Sequence, residues 1–248
     1  MNLQQFLENR IPINEIFSSI SGEGISAGSI MSLVRTAGCN LRCRYCDTTY
    51  SYSESETENK MLYPDEVVDI LLGYRCRNVL CTGGEPLEQG KPKRYLPLYI
   101  AAKGFNVRVE TNGSCLLYNE QEIQRFIGIN NKLNLHYSMD IKCPDSGEES
   151  KNIYDENLRM LNSGDEVKFI VSSDSDMEFA LDIIDKYKRI FALSSVVVNF
   201  SPAFGKLHPT NIVEMLKKNN EYFEINKLRV RLSLQIHKFI WSKDARGV

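Results

Sequence analysis

The sequence lacks an apolar run of the ~18–20 residues that a membrane-spanning helix requires. It also lacks an excess of basic charge, since 30 Lys and Arg face 32 Asp and Glu among 248 residues, for a net charge of −2. Proteins that bind nucleic acid or anionic membranes concentrate basic charge, so neither partner is expected. Residues 1–17 carry charges where a signal peptide would have an apolar core. These absences predict a cytoplasmic protein.

Complete disulfide pairing is excluded because the seven cysteines are odd in number. In a reducing cytosol, cysteines serve as buried apolar residues, metal ligands or redox groups. Hydrophobic residues make up 42% of the chain, which is enough for a large core. No internal repeat and no linker marks a second domain, so one domain is expected over residues 1–248.

Apolar, β-branched runs alternate with amphipathic stretches along the chain. Strands are predicted at Ile30–Arg35, Asn78–Thr82, Asn106–Thr111, Asn134–Ile141, Glu166–Val171 and Val196–Phe200. Helices are predicted at Pro64–Leu72, Leu96–Lys103, Asn119–Ile127, Tyr154–Leu161, Asp176–Lys188 and Thr210–Lys218. Strands and helices in alternation imply parallel strands with crossover connections. Because about six such units are fewer than the eight of a closed barrel, we expect an α/β fold, a partial and open βα barrel with about six parallel strands.

The segment Asp47–Lys60 breaks this alternation. It is polar, rich in Ser and Glu, and without an apolar period. We expect a solvated polar loop in place of the first crossover helix, with a lid or a partner surface as the alternative. In parallel α/β folds, functional residues lie at the C-terminal ends of the strands and in the loops that follow them.

Three cysteines follow the first predicted strand at Cys39, Cys43 and Cys46. Their close spacing lets one loop bring three thiols to a metal centre. A structural zinc site and a conventional four-iron electron carrier each take four protein ligands. Three thiolates on a [4Fe–4S] cluster leave one iron open for a ligand that is not protein, which is a catalytic arrangement.

The stretch CNLRCRYC around these cysteines resembles the signature of the radical S-adenosylmethionine (SAM) superfamily. The resemblance implies an open barrel of the radical SAM type, with SAM chelated to the open iron of the cluster. The stretch CTGGEP at 81–86 resembles the motif that contacts the methionine amino group, and ETNG at 110–113 resembles another family stretch. The SAM contacts that the resemblance implies are Tyr45, Cys46, Asp47, Gly84, Glu85, Glu110, Asn112, Ser138, Asp140 and Lys142.

Segments toward both ends of the chain narrow the resemblance to the 7-carboxy-7-deazaguanine synthase family. They are EIFSSISGEG at 15–24, Cys-Asp-Thr at 46–48, FSP at 200–202, QIHK at 235–238 and the final Arg-Gly-Val. The family implies a carbon–nitrogen lyase that converts 6-carboxy-5,6,7,8-tetrahydropterin to 7-carboxy-7-deazaguanine with loss of ammonia, in 7-deazapurine (queuosine/preQ0) biosynthesis. A 5′-deoxyadenosyl radical would start the ring contraction by removing hydrogen from C6.

The resemblance also implies substrate contacts. Glu23 would accept hydrogen bonds from the pterin, and Arg35 would pair with its carboxylate, for which a guanidinium is suited. Thr48 would bind Mg²⁺, a hard cation that prefers oxygen ligands. The predicted substrate contacts are Ile20, Ser21, Gly22, Glu23, Arg35, Thr82, Gln235, His237 and Val248.

In the resembled family the C-terminal end folds over the substrate, and the carboxylate of Val248 would accept hydrogen bonds from the pterin. The adjoining Phe239, Ile240 and Trp241 are expected to be buried and to hold this tail. The family further implies a homodimer and a flavodoxin- or ferredoxin-type reductant.

Two positions depart from the family pattern. Ser21 stands where many members have Gln, which bears on the ring contact, and Asp140-Ile141-Lys142 stands where many have Ser-Pro-Lys, which bears on the ribose contact. Two alternatives remain open. A glycyl-radical enzyme activase has the same cysteine triplet but acts on a partner protein, and a non-catalytic iron–sulfur or zinc protein would need a fourth ligand.

Overall fold

The computed structural model describes residues 1–55, 57–128, 133–242 and 245–248. Within these ranges one sheet contains the strands β1 Ile11–Ile20, β2 Ile30–Thr36, β3 Lys60–Leu62, β4 Asn78–Gly83, β5 Asn106–Thr111, β6 Leu135–Ile141, β7 Glu166–Val171, β8 Val197–Pro202 and β9 Arg229–Leu232. The helices are α1 Leu3–Leu7, α2 Pro64–Gly73, α3 Leu96–Ala102, α4 Glu120–Ile127, α5 Tyr154–Leu158, α6 Asp174–Ser194, α7 Pro209–Ile225 and α8 His237–Ile240. None of the described helices combines the length and the apolar character needed to cross a membrane.

The strands follow one another across the sheet in the order β3-β1-β2-β4-β5-β6-β7-β8-β9. From β2 through β4 to β9 all neighbours are parallel, whereas β1 runs antiparallel to both β2 and β3. The edge strands of the described sheet are therefore β3 and β9, and the sheet is not closed by strand pairing. The predicted open α/β barrel is confirmed.

All six predicted strands are present, and the structure adds three strands that were not predicted, β1, β3 and β9. The parallel part includes β9, and β1 and β3 add an antiparallel extension. β9 was missed because Arg229–Leu232 is short and alternates exposed with half-buried residues. β1 was missed because its ten residues carry Pro, Asn and Glu among the apolar ones, without a clean period of two.

Most helix boundaries lie close to their predicted positions, but α6 and α7 are longer than predicted. The side chain of Ser173 caps α6 by accepting from the N–H of Asp176, so this helix begins two residues earlier and runs to Ser194. α7 begins at Pro209, after an N-cap at His208, and continues to Ile225. Helix α2 makes the crossover from β2 to β4, and the polar segment 47–60, outside position 56, contains the 3-10 turn Thr49–Ser51 and leads into β3.

The hydrophobic core lies between the sheet and the surrounding helices. Along the parallel strands, alternate apolar residues such as Val107 and Val109 pack into this core. Arg108 and Glu110, which alternate with them, face the inside of the barrel. One buried cluster of apolar side chains extends from Phe6 in α1 to Leu228 before β9. The inside of the barrel is therefore polar and charged, and it is there that ligands can be bound.

Replacement of Phe6 tests how α1 is attached to this core. Phe6 is fully buried, and its ring centroid lies 5.2 to 6.3 Å from those of Tyr95, Tyr99 and Phe126. Phe6→Ala should lower the free energy of unfolding by ~3–5 kcal/mol, because it removes buried area and leaves a cavity. The same change at Phe239, which is 70% exposed, is the control for urea denaturation. Equal losses in both variants would contradict the packing role of Phe6.

Candidate active site

A cavity of about 680 Å³ opens at the C-terminal ends of the parallel strands. Its wall includes residues at the ends of β2, β4, β5, β6, β7 and β8, as expected for a parallel α/β fold. The predicted site residues that line it are Ile20, Gly22, Glu23, Arg35, Cys39, Cys43, Tyr45, Cys46, Asp47, Thr48, Thr82, Gly84, Glu110, Asn112, Asp140, Lys142, Gln235, His237 and Val248. The structure thus brings together segments that lie more than 200 residues apart in sequence.

The loop that carries the three cysteines is held by backbone contacts to the turn after β4. The N–H of Gly84 donates to the carbonyl of Thr36 at 3.0 Å, and the N–H of Glu85 donates to the carbonyl of Gly38 at 2.9 Å. A Cβ at Gly84 would lie 2.0 Å from the carbonyl oxygen of Gly38, so only glycine allows this approach. The GGEP turn thereby fixes the start of the cysteine loop.

Lys93 fixes the same loop from the other side. Its ammonium donates to the carbonyl oxygens of Ala37 and Gly38, both at 2.8 Å, and pairs with Glu54 at 3.1 Å and Glu88 at 2.7 Å. Lys93 is only 1% exposed, so these partners replace its hydration shell. The cysteine loop is consequently rigid at its N-terminal end before any ligand binds.

The arrangement of the triplet fits a cluster and not a single ion. Cys39, Cys43 and Cys46 line the cavity on one loop, and the N–H of Leu41 donates to Sγ of Cys39 at 3.4 Å. Within the described part of the chain, no three His, Cys, Asp or Glu side chains converge closely enough to hold one metal ion. A four-iron cluster is larger and takes thiolates at its corners. The donor set present, three thiols and no fourth protein ligand on this loop, fits a [4Fe–4S] cluster with one open iron.

Three predicted contacts do not line the cavity. Glu85 is fully buried and accepts from the N–H groups of Leu87 and Asn112 and from the hydroxyl of Thr111, at 2.7 to 2.8 Å. Ser21 is buried, with its hydroxyl 2.9 Å from that of Ser26. Ser138 is buried deeper in the barrel, beside Glu166 of the neighbouring strand. The ligand contacts predicted for these three residues stay predictions.

Five ionisable side chains meet inside the barrel, namely Glu23, Glu110, Asp140, Lys142 and Lys168. Lys168 donates to Glu23 at 2.9 Å and lies 3.4 Å from Asp140, and Lys142 donates to Asp140 at 2.6 Å. Burial opposes the charged form of Lys168, but the attraction of Asp140, Glu23 and Glu110 raises its pKa well above the usual value. Burial raises the pKa of Glu110, whose carboxylate accepts from Thr82. Lys168 is therefore a permanent cation in the cavity wall.

Lys168 was missed by the sequence analysis. It lies within the apolar strand β7, where its neighbours Val167 and Phe169 are fully buried in the core. A lysine at the centre of an apolar strand is itself a signal, because burial of a lysine requires a partner of opposite charge. The partners come from segments distant in sequence, so the pairing could not be read from the strand alone.

Arg35 lies in a second cluster of polar side chains in the cavity wall, on the N-terminal hairpin that β1 and β2 form. Its Nε donates to Glu15 at 2.7 Å, and the hydroxyl of Tyr50 donates to the same oxygen at 3.1 Å. The guanidinium of Arg246 lies 3.6 Å from the ring centroid of Tyr50. Glu15 and Tyr50 also line the cavity and were not predicted. Arg35 and Arg246 give this part of the cavity wall an affinity for anions.

Thr48 lies next to an ion-paired aspartate. Its hydroxyl donates to Oδ1 of Asp47 at 2.9 Å, while Oδ2 of Asp47 accepts from Lys238 at 2.6 Å and from Gln235 at 3.2 Å. Burial disfavours the charged form of Asp47, but Lys238 and these hydrogen bonds lower its pKa below the ordinary value. Because the Thr48 proton points to Asp47, the lone pairs of the hydroxyl oxygen are available toward the cavity. Such an oxygen fits Mg²⁺.

The C-terminal residues Arg246, Gly247 and Val248 line the cavity, and residues 243–244 lie outside the described part of the chain. The expectation that Phe239 and Ile240 are buried was wrong, because they are 70% and 56% exposed. The short helix α8 instead turns His237, Lys238 and Trp241 toward the cavity. Burial lowers the pKa of His237, so its ring is neutral at pH 7.

Replacement of Lys93 tests the anchor of the cysteine loop. Lys93→Met leaves Glu54, Glu88 and two carbonyl oxygens without their cation, and it should lower the free energy of unfolding by ~3 kcal/mol. Lys91→Met is the matched control, since Lys91 pairs with the same Glu54 at 2.9 Å but is 43% exposed. Its loss should stay below ~1 kcal/mol. Denaturant unfolding measures both, and an equal loss in the two variants would contradict the anchor.

Comparison with known proteins places this geometry in a family. A model of the radical SAM superfamily matches residues 33–218. The 7-carboxy-7-deazaguanine synthase of Clostridium acetobutylicum is 37% identical over 235 residues, covering 94% of this chain and 97% of that protein. The proteins of the same name from Koribacter versatilis and Thermoplasma acidophilum are 35% and 34% identical, each covering 95% of this chain and 99% of the relative.

Among solved structures, QueE from Escherichia coli superposes with a TM-score of 0.70 at 20% identity, over 94% of this chain and 98% of that one. At this identity the likeness concerns the fold. The sequence matches concern the family, because they extend over 94–95% of this chain at 34–37% identity. The chain belongs to the 7-carboxy-7-deazaguanine synthase family of the radical SAM superfamily.

Proposed function

We propose that this radical SAM enzyme is a carbon–nitrogen lyase that converts 6-carboxy-5,6,7,8-tetrahydropterin to 7-carboxy-7-deazaguanine and ammonia, a step of 7-deazapurine (queuosine/preQ0) biosynthesis. One observation carries the proposal: the cysteine triplet, the acidic Glu23, the basic Arg35 and the hydroxyl of Thr48 line a single cavity. Family membership supports the same reaction.

The enzyme uses a [4Fe–4S] cluster and SAM, which together supply a 5′-deoxyadenosyl radical for removal of hydrogen from C6 of the pterin. Cys39, Cys43 and Cys46 would hold the cluster. Gly84 would let the methionine part of SAM come close to the protein backbone, because a glycine at this position has no side chain in the cavity wall. Asp140 and Lys142 form an ion pair in the cavity wall and would bind the polar groups of the cofactor. The remaining candidate SAM contacts are Tyr45, Asp47, Glu110 and Asn112.

The substrate would lie between two clusters of polar side chains in the cavity wall, one around Lys168 and one around Arg35. A carboxylate such as Glu23 accepts from the amino and ring N–H groups of a pterin, and it is held ready by Lys168 and Gln235, both at 2.9 Å. Arg35, oriented by Glu15, would receive the substrate carboxylate. The neutral ring of His237 can donate or accept a hydrogen bond to the ring system. Ile20, Gly22, Thr82 and Val248 would complete the contacts.

Mg²⁺ would bind Thr48 and the substrate carboxylate. Its role would be to orient the substrate, since the ion adds a fixed positive charge next to a carboxylate and needs few protein ligands. Asp47 accepts the hydrogen bond of the Thr48 hydroxyl, which would leave the oxygen lone pairs free for the ion.

A glycyl-radical enzyme activase fits the cavity less well. Such an enzyme takes a polypeptide as substrate, whereas the charges found here, Glu23 with Lys168 and Arg35 with Glu15, lie in the wall of one cavity and are matched to a small polar molecule. A non-catalytic iron–sulfur or zinc protein has no use for these buried charges, whose burial is costly without function.

We further propose that residues 1–248 act as a single radical SAM domain, because one core cluster extends from Phe6 to Leu228. In this proposal the polar segment 47–60 is part of the cavity wall, as Asp47, Thr48 and Tyr50 are lining residues. The enzyme would work in the cytoplasm as a homodimer, with a flavodoxin- or ferredoxin-type reductant and without a nucleic-acid or membrane partner.

Anaerobic reconstitution followed by product analysis tests the reaction. With reductant, SAM and 6-carboxy-5,6,7,8-tetrahydropterin, the protein should form 7-carboxy-7-deazaguanine, and Cys43→Ala should form neither this product nor 5′-deoxyadenosine, because three thiolates are needed for the cluster. Cys76→Ala is the matched control, since Cys76 lies outside the cavity lining. Formation of 5′-deoxyadenosine without pterin conversion would favour another substrate, and its complete absence in the parent protein would favour a non-catalytic role.

Replacement of Thr48 tests the Mg²⁺ site. Thr48→Ala should lower kcat/KM about tenfold or more and abolish the stimulation by Mg²⁺, because the ion loses its protein oxygen ligand. The absorption spectrum of the cluster should stay unchanged. Thr57→Ala removes a hydroxyl from the same polar segment, where Thr57 is exposed, and should change neither quantity. Equal Mg²⁺ stimulation in Thr48→Ala and the parent enzyme would remove Thr48 from the site.

A further inference from the structure

The segment Ser21–Ser26 connects the N-terminal hairpin with the opposite end of the sheet. Its carbonyl at Gly22 accepts from the N–H of Ile236 at 2.9 Å, and its N–H at Gly24 donates to the hydroxyl of Ser233 at 3.0 Å. Ile236 and Ser233 follow β9, which is an edge strand of the described sheet. The segment thus joins the two sides of a barrel that strand pairing leaves open.

The peptide group between Gly24 and Ile25 is held at both of its polar atoms. Its N–H, from Ile25, donates to Oε2 of Glu166 at 2.8 Å, and its carbonyl oxygen, from Gly24, accepts from a terminal nitrogen of Arg231. Asn199 connects the two clamping side chains: its amide donates to Oε2 of Glu166 at 2.7 Å, and its oxygen accepts from Nε of Arg231 at 2.8 Å. These groups form a closed ring of hydrogen bonds around one peptide.

Glu166 is the centre of this ring. It is 1% exposed, and its other oxygen lies 3.5 Å from Arg108, so a charged carboxylate is kept inside the barrel by backbone, amide and guanidinium partners. Gly24 has φ +67°, and a Cβ there would lie 2.3 Å from Oε1 of Glu166. Glycine is therefore required both by the backbone conformation and by the closeness of Glu166.

The hydrogen bonds around the Gly24–Ile25 peptide also affect the residue before it, Glu23. Lys168, two residues after Glu166 on the same strand and the same face, donates to Oε2 of Glu23, and Gln235, two residues after Ser233, donates to Oε1. The strand ends that hold the backbone of the segment thus also hold the carboxylate of Glu23. A shift of the Gly24–Ile25 peptide would move Glu23 relative to both of its partners.

We propose that Glu166 is a positioning residue for substrate binding: through the Gly24–Ile25 peptide it fixes the direction in which the Glu23 carboxylate faces the cavity. The inference rests on the proposed function, in which Glu23 accepts hydrogen bonds from the pterin. Glu166 itself belongs to the layer of the barrel below the cavity and is not part of the cavity wall.

The test is Glu166→Leu, measured in the full-length enzyme. The apolar side chain removes the oxygen that accepts from both the N–H of Ile25 and the amide of Asn199, so neither donor keeps its partner. We expect faster hydrogen–deuterium exchange at the Ile25 amide, by about tenfold or more. We also expect KM for the pterin to rise about tenfold, while pterin-independent formation of 5′-deoxyadenosine and the cluster spectrum stay unchanged.

A double-mutant cycle separates positioning of Glu23 from a general loss of stability. If Glu166 acts through Glu23, then Glu166→Leu should change KM by less than about twofold in a Glu23→Gln background, because the two effects share one path. Glu214→Gln, on the exposed face of α7, is the control with unchanged exchange and KM. The same rise of KM in both backgrounds, or unchanged exchange at Ile25, would overturn the proposal.

Two further outcomes are decisive. If the parent enzyme does not convert the pterin, the proposed function fails, and the exchange measurement alone decides whether Glu166 holds the segment. If Glu166→Leu does not fold, Glu166→Asp takes its place, since it keeps the charge but shortens the reach toward the N–H of Ile25 by one methylene group. Glu166→Asp should change exchange and KM in the same direction, and unchanged values would overturn the proposal.

Discussion

The ammonium group of Lys168 is the interaction on which the arrangement of the cavity depends. Glu23, Glu110 and Asp140 bring three carboxylates into the barrel, and Lys168 interacts with all three of them. Buried charges of one sign are costly, so the strand ends and the segment before β2 are stable in their positions only around this cation. Because Lys168 contacts both Glu23 and Asp140, it also joins the proposed substrate side of the cavity to the proposed SAM side.

Most of the fold could be predicted from the sequence, but the strands β1, β3 and β9 could not. The six central strands could be predicted because each is a buried apolar run between turn residues, whereas β1 and β9 are partly exposed and mix polar with apolar residues. The cysteine triplet was recognisable because its spacing is local. Glu15, Tyr50 and Lys168 were missed because their partners lie on other strands or loops, so their roles follow from the sheet order and not from any local motif.

Neighbouring residues of one sequence motif can line the cavity or stabilise the fold around it, and the sequence alone does not distinguish these two roles. Gly84 and Glu85 are neighbours in the GGEP stretch, yet Gly84 lines the cavity and Glu85 holds the ends of β4 and β5 together through three hydrogen bonds. A buried carboxylate surrounded by N–H and O–H donors stabilises a turn as effectively as it would bind a ligand. Burial and direction of the side chain decide between the two roles, and both depend on the tertiary structure.

The strand that the sequence analysis missed, β1, sets the spacing of the proposed substrate site. Glu15 on β1 orients Arg35 on β2, and the end of β1 leads directly into the segment that carries Glu23. The carboxylate of Glu23 and the guanidinium of Arg35 therefore belong to one antiparallel hairpin, in which Glu15 pairs with Arg35. A carboxypterin needs a hydrogen-bond acceptor at its amino end and a cation at its carboxylate end. A preformed hairpin can supply both without ordering a flexible loop at each binding event. The hydrogen bonds around the Gly24–Ile25 peptide extend this support beyond the end of β1, to Glu23 in the proposed substrate site.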